Sequence, residues 1–230
     1  YGNIGYSINE KEKTASVIYS CSLDFDLFIP RSIKYESEEY LITSISESAF
    51  YKSSIESVDF ANDSELKTIE KDAFYGSSIK SLIIPSKVTE LKEDWCNNTK
   101  ELAKIKVSPD NKRYRSIDDQ IIVGKSSIEN EEYDELIFCS RDVSMSILPD
   151  YIKHICTSSY QGCKYLRRIV FSKDSQLQTI GKKSFSETSF ETFKIPPQVK
   201  IIKEYAFYMC KKLTKIEIPK NSELKIIGKG

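Results

Sequence analysis

Histidine and tryptophan are almost missing from this 230-residue chain, which contains one of each. A single His nearly removes His-based catalysis and His-rich metal sites from consideration. The chain also has no G-x-S-x-G, no phosphate-binding glycine loop and no H-E-x-x-H. We therefore predict that the protein is not an enzyme and carries neither a metal nor a cofactor.

A surplus of charge of one sign is also absent, because basic and acidic residues number 34 each. A nucleic-acid-binding protein needs a basic surplus on one face, so nucleic acid is not predicted as a partner. No apolar run approaches the roughly 18 residues that span a bilayer, and we predict no direct membrane insertion. Hydrophobic residues make up 40% and charged residues 30%, an ordinary soluble composition that can build a large core.

An internal repeat is the main feature of the sequence. The pattern apolar-x-x-apolar-x-apolar recurs at spacings of about one repeat of 23 or 24 residues, with one longer gap. Its copies are Ile55/Val58/Phe60, Ile79/Leu82/Ile84, Leu102/Ile105/Val107, Leu166/Ile169/Phe171, Phe190/Phe193/Ile195 and Leu213/Ile216/Ile218. The last two positions of each copy are two residues apart, as on one face of a β-strand.

A second pair of apolar residues, three positions apart, follows each copy. A bulky residue, usually aromatic and preceded by a small one, comes five positions later. Examples are Ala73-Phe74, Ser184-Phe185 and Ala206-Phe207. Trp95-Cys96 departs from this order, and we expect local repacking there.

The connection between the strand and the second pair has two lengths. The short form is Ile-Pro-x-x-Val, as from Ile84-Pro85 to Val88, and the long form carries Asp-Ser or Asn-Ser, as at Asp174-Ser175. Proline lacks an N–H and ends a strand, whereas Asp or Asn followed by Ser closes a turn. Burial of one repeat's apolar side chains does not offset the entropy of ordering its backbone, so the repeats must stack.

The recurring pattern resembles the BspA-like class of leucine-rich repeats over about residues 40–230. The match is close for Leu213 to Pro219, Val199 to Ile202 and Ala206 to Cys210. The resemblance implies an α/β, β-rich fold: a right-handed leucine-rich-repeat solenoid, or horseshoe, with a parallel β-sheet on its concave face. It also implies a surface-displayed module that adheres to host cells, matrix proteins or neighbouring microbes.

Two segments fall outside the repeats. Residues 108–147 are predicted to form an inserted β-hairpin, with strands near 121–123 and 136–138, and residues 1–40 a hairpin cap. Repeats then occupy residues 41–107 and 148–230 of a single domain over residues 1–230. We interpret the chain as a fragment whose last repeat is cut short.

The predicted partner-binding surface is the outward face of the parallel sheet. Its candidate residues are Ser57, Asp59, Lys104, Lys106, Arg168, Thr192, Lys194, Lys215 and Glu217. The middle of this strip is basic, which favours an acidic patch of a protein, or a glycan, as the partner. The alternative interpretation is a solvated face whose charges provide solubility.

Other polar residues are predicted to be structural. Cys163 and Cys210 occupy a small-residue position and lie two repeats apart, roughly 10 Å, too far for a disulfide. His154 lies near several cysteines, but the spacing matches no usual zinc pattern, and we expect a surface His. The Asn-x-Ser/Thr tripeptides at Asn62 and Asn97 support secretion only weakly.

The function predicted from the sequence is non-catalytic macromolecular recognition, with adhesion at the cell surface or outside the cell. The alternative is an intracellular, cytoplasmic protein–protein scaffold or assembly subunit. The six cysteines at irregular spacings and the lack of a signal peptide favour that alternative. The oligomeric state stays open.

Overall fold

A computed structural model of the chain describes residues 4–20 and 25–230. The described residues form strands and turns and contain no helix, so the fold is mostly β and the predicted α/β class is wrong. The chain divides into two compact units, residues 1–115 and 116–230. The predicted single domain over residues 1–230 stays a prediction.

The first unit consists of short strands joined by turns. In chain order they are β1 (Ile4–Asn9), β2 (Thr14–Ser20), β3 (Asp26–Ile29), β4 (Ser32–Tyr35), β5 (Glu38–Ile45), β6 (Ser57–Phe60), β7 (Thr68–Ile69), β8 (Ser81–Ile84), β9 (Glu90–Leu91) and β10 (Lys104–Val107). The strand β11 (Tyr114–Ile117) crosses the boundary between the units.

The second unit also consists of short strands joined by turns. Its strands are β12 (Ile121–Gly124), β13 (Glu135–Cys139), β14 (Met145–Leu148), β15 (His154–Ile155), β16 (Arg168–Phe171), β17 (Thr179–Ile180), β18 (Thr192–Lys194), β19 (Ile201–Ile202), β20 (Lys215–Glu217) and β21 (Ile226–Ile227).

Each rung of the solenoid contributes one strand to each of two parallel ladders. We call the strands of one ladder the wide strands: β3, β6, β8 and β10 in the first unit, and β14, β16, β18 and β20 in the second. The strands of the other ladder are the narrow strands: β5, β7 and β9 in the first unit, and β13, β15, β17, β19 and β21 in the second. The wide strands coincide with the first apolar pattern and the narrow strands with the second, as the repeat predicts.

Both predicted hairpins are present. The strands β1 and β2 pair antiparallel, and β2 continues in parallel onto β5, so the buried Ala15 and Val17 cover the first rung's interior. The strands β12 and β13 also pair antiparallel. However, β13 pairs in parallel with β15 and β14 with β16, so the predicted insertion over 108–147 extends too far. Residues 135–148 already form a rung.

Pairing between neighbouring wide strands follows the length of the connection that leaves the first strand. After a short connection, as from β8 to β10 or from β14 to β16, four residue pairs form. After a long connection, β6 joins β8 through two pairs, and no ladder joins β16 to β18 among the described strands. The long form places two more residues before the second apolar pair, and we attribute the separation to this widening of the rung.

The turn that carries the bulky residue explains why no helix forms. In nearly every turn, the residues two positions before and two positions after the bulky one have positive φ, as Asp72 and Gly76 do around Phe74. Such residues interrupt an α-helix. The turn's N–H groups instead donate to the next rung, for example Phe74 N to the carbonyl O of Trp95 at 2.9 Å and Gly76 N to that of Asn97 at 3.0 Å.

The bulky residues stack in a column within each unit, as the repeat predicts. In the first unit the Phe50 and Phe74 rings stack with centroids 5.0 Å apart, and Trp95 meets Phe74 edge-on at 6.2 Å. In the second unit Phe185 stacks on Tyr160 at 5.1 Å and on Phe207 at 5.5 Å. Trp95 thus continues the column from the small-residue position, which is the predicted repacking.

Candidate binding surface

The wide strands present alternate residues to the core and to solvent, because successive strand side chains point to opposite faces. In β8, Leu82 and Ile84 are buried whereas Ile83 is exposed. The first and third residues of each wide strand therefore form an outward face. All nine residues predicted for partner binding lie at such positions.

In the first unit, the outward face combines the predicted polar residues with two large apolar side chains. The register places Asp59 beside Phe28 of β3, and Lys106 beside Ile83. Phe28 is 58% exposed and Ile83 46% exposed. The Ser57 hydroxyl donates a hydrogen bond to the Asp26 carboxylate at 2.6 Å. The residues of this face are Asp26, Phe28, Ser57, Asp59, Ser81, Ile83, Lys104 and Lys106.

In the second unit, the outward face begins with two apolar residues on β14. Met145 lies beside Arg168 and Ile147 beside Val170. Met145 is 50% exposed and Ile147 64% exposed. The residues of this face are Met145, Ile147, Arg168, Val170, Thr192, Lys194, Lys215 and Glu217.

The basic character predicted for the strip is partly neutralised in the second unit. The Glu217 carboxylate is 2.8 Å from Lys215 Nζ and 3.4 Å from Lys194 Nζ. The hydrogen bond from Lys215, with the nearby charge of Lys194, lowers the pKa of Glu217, which stays ionised. Among residues 4–20 and 25–230, Arg168 forms no ion pair, and its side chain is exposed.

Sequence reasoning missed Met145 and Ile147 because Ser146 replaces the apolar residue expected between them. Ser146 is nevertheless buried, and its hydroxyl oxygen is 2.9 Å from that of the fully buried Tyr160. Tyr160 itself replaces the usual Phe, so the two departures form one hydrogen bond. Leu148-Pro149 at the end of β14 is the signal that marks this strand.

Phe28 was missed for a different reason, since the repeat was traced only from Ile55 onward. Ile29-Pro30 has the same short form as Ile84-Pro85 and would have identified β3 as a wide strand.

A cleft of about 700 Å³ lies between β16 and β18. Its floor is aromatic, with Phe171 and Phe193 in edge-on contact at a centroid distance of 6.0 Å. The exposed cations Arg168 and Lys194 lie at its rim. Its volume falls in the usual range for ligand sites, which is about 300–1,000 Å³.

A buried polar cluster surrounds Arg141 in the core of the second unit. Arg141 is 2% exposed, and its Nη1 donates to the carbonyl oxygens of Ser159 at 3.0 Å and Cys139 at 3.2 Å. The Cys163 thiol lies 3.7 Å from the same nitrogen. Burial and hydrogen bonding with Cys163 raise the pKa of the Cys139 thiol, which stays protonated and is a poor nucleophile.

The remaining candidate residues are arranged as follows. Cys163 and Cys210 are buried in the predicted small-residue position. His154 is half-buried on β15 rather than at the surface, beside Thr179, and burial lowers its pKa. Asn62 is exposed and Asn97 half-buried. Over residues 4–20 and 25–230, no group of three or more His, Cys, Asp or Glu is placed to hold a metal.

No helix in the described ranges is long and apolar enough to span a membrane.

Comparison with known proteins gives one family match and several structural matches. The family described as "BspA type Leucine rich repeat region (6 copies)" matches residues 31–129 and 131–230. A leucine-rich repeat protein from Eubacterium ventriosum has 19% identity and a TM-score of 0.68, over 90% of this chain and 56% of that one. The pneumococcal vaccine antigen PcpA has 16% identity and a TM-score of 0.56, over 99% and 76%. No curated protein matches the chain.

At these identities the solved structures show a shared fold, and this chain spans just over half the length of the Eubacterium protein. The family match covers the chain from residue 31 onward and includes every narrow strand and every wide strand except β3. The chain therefore belongs to the BspA-type leucine-rich repeat family.

Proposed function

We propose that the chain is a non-catalytic protein-binding module that contacts its partner through the outward faces of its wide strands. The observation that carries this proposal is the exposure of large apolar side chains there: Phe28 and Ile83 in one unit, Met145 and Ile147 in the other. Exposed apolar residues surrounded by polar ones are typical of protein–protein contact surfaces. Leucine-rich-repeat proteins also generally bind proteins.

The predicted charged and polar residues surround these apolar groups. Ser57, Asp59, Lys104 and Lys106 do so in the first unit. In the second unit Arg168 lies beside Met145, and Thr192, Lys194, Lys215 and Glu217 continue the outward face on β18 and β20. Because rim charges act mainly on the rate and specificity of association, we assign the affinity to the apolar residues. A concave horseshoe surface stays a prediction.

The experiment measures binding of the purified chain to immobilised collagen, laminin and fibronectin by surface plasmon resonance. We expect saturable binding to one of them and about tenfold weaker binding by Phe28→Ser/Ile83→Ser or by Met145→Ser/Ile147→Ser. Tyr51→Ser is the matched control, because Tyr51 is an exposed aromatic residue of a turn, stacked on Tyr75. Equal weakening by the control, or binding only to a glycan array, contradicts the proposal.

We further propose display at the cell surface, with adhesion as the role; the similarity to a pneumococcal vaccine antigen supports this placement. An intracellular scaffold is the second candidate, favoured by five described cysteines that form no disulfide: Cys96, Cys139, Cys156, Cys163 and Cys210. Antibody staining of intact cells against permeabilised cells distinguishes them. Staining only after permeabilisation contradicts display at the surface.

A further inference from the structure

The cleft between β16 and β18 interrupts the wide ladder of the second unit. On its outer sides, β16 pairs with β14 and β18 pairs with β20. Across the cleft, Ser189 N still donates to the carbonyl O of Leu166 at 3.0 Å, just before the two strands separate. The cleft therefore has two strand edges as its walls.

The register shows which backbone groups line these walls. In paired rungs, Ser108 N donates to the carbonyl O of Ile84, and Ile195 N donates to that of Glu217. Ile84 and Ile195 occupy the position that Phe171 holds in β16, so the Phe171 peptide groups face the cleft. Ile169, two residues earlier, faces the same way because the period of a strand is two.

The interior of the solenoid is accessible through this opening. Ile169 and Phe171 are half-buried, whereas Leu82 and Ile84 hold the same positions in β8 and are fully buried. On the opposite wall of the cleft, Phe193 and Ile195 are buried, so within the cleft the loss of burial lies on the β16 side. A ligand with apolar side chains would complete the coverage of this floor.

The rim of the cleft is positively charged. Arg168, Lys173 and Lys194 line it and are exposed, and no carboxylate is among its lining residues. Glu217 lies within 3.4 Å of Lys194 but outside the cleft lining. Negatively charged groups on the ligand would therefore lie beside these three cations.

We propose that the cleft binds an extended segment of a protein partner, in which apolar residues alternate with acidic ones. The segment adds as a strand to the open edge of β16. Its apolar side chains pack on Phe171 and Phe193, and its acidic side chains lie outward beside Arg168 and Lys194. Strand addition suits this site because open edges offer unpaired N–H and C=O groups along a defined register. The proposal rests on the proposed protein-binding function and names the class of partner.

The test uses the full chain and a capped hexapeptide of alternating Val and Glu as the probe. Amide hydrogen exchange by NMR should show slower exchange at Ile169 and Phe171, by about tenfold at saturation. The same peptide with N-methyl groups on alternate residues should not bind, since it lacks half of the donors. Binding of the probe without protection of these two amides contradicts strand addition.

Charge reversal locates the binding. Arg168→Glu/Lys194→Glu should weaken binding of the hexapeptide by about tenfold or more, provided the melting temperature is unchanged. Lys104→Glu/Lys106→Glu is the matched control, because these lysines hold the same outward positions on a wide strand whose ladder to β8 is complete. Equal weakening by both variants, or no binding at millimolar peptide, overturns the proposal.

Two further outcomes keep this proposal separate from the general function. If laurate below its micelle concentration binds the cleft and the hexapeptide does not, an amphipathic carboxylate and not a peptide is the ligand. If binding to a matrix protein is weakened by Phe28→Ser/Ile83→Ser but not by Arg168→Glu/Lys194→Glu, the protein-binding function stands and the proposed cleft site is wrong.

Discussion

The hydrogen bond between Ser146 and Tyr160 gives the sharpest test of how the second unit is stabilised. Ser146→Ala leaves the Tyr160 hydroxyl in the core without this partner. Both residues are buried, 3% and 0% exposed, and their oxygens are 2.9 Å apart. Burial raises the pKa of Tyr160 well above 10, so its hydroxyl remains protonated. An unsatisfied buried hydroxyl costs about 1–3 kcal/mol, and we expect the free energy of unfolding to fall by that amount.

A double-mutant cycle separates the hydrogen bond from the loss of either side chain. Tyr160→Phe should cost about 1 kcal/mol, because it leaves Ser146 as the buried polar group. The double variant contains neither hydroxyl and matches the apolar pattern of the other rungs more closely. Its cost should be smaller than the sum of the single costs by about 1 kcal/mol.

Urea denaturation followed by far-UV circular dichroism measures all four proteins, and equal m-values are required for the comparison. Ser144→Ala is the control, because Ser144 is an exposed serine two residues away. It should change stability by less than about 0.5 kcal/mol. Strictly additive costs for Ser146→Ala and Tyr160→Phe would refute the coupling.

Four more predictions concern the turns and single side chains. Met209 has φ 56°, so Met209→Gly should raise the free energy of unfolding by about 0.5–1 kcal/mol. Gly162→Ala should lower the free energy of unfolding by about 1 kcal/mol, because φ is 74° there, although a Cβ would meet nothing within 4 Å. Urea denaturation measures both variants, and changes of the same sign would contradict the argument from positive φ. Burial lowers the pKa of His154 in the folded chain below 6.5, so the unfolded chain takes up the proton first as the pH falls. Stability should therefore decrease as the pH falls below about 6.5, and His154→Gln should reduce that decrease in denaturation measured at pH 7 and pH 5. Expression through a eukaryotic secretory pathway should add a glycan at the exposed Asn62 and not at the half-buried Asn97, so only Asn62→Gln should lower the mass.

The rungs were predictable from the sequence because their signals are local. An apolar residue at Leu82 and another at Ile84 define a buried strand face, and Pro85 marks its end. The column of bulky residues also followed from spacing alone, since each one serves the same stacked interior. Even Trp95, which breaks the order, lies in that column.

Two features were not predictable because they depend on contacts between rungs. Ser146 does not resemble a core residue until Tyr160, in the next rung, supplies its hydrogen bond. The cleft depends on pairing that fails between two strands whose own sequences fit the repeat. The α/β class was wrong because the turn residues take positive φ without being glycine, as Lys52 and Asp94 do, and the sequence pattern does not mark them.

The two lengths of connection have a consequence for how such a protein changes its recognition site. Replacing residues 171–175 by an Ile-Pro connection, like the one at Ile195-Pro196, would allow β16 and β18 to pair and would close the cleft between them. Installing the longer connection after β8 would shorten the pairing between β8 and β10, as it does between β6 and β8. The length of a single connection therefore decides how fully two neighbouring wide strands pair, so a change confined to one repeat can move an opening in the sheet.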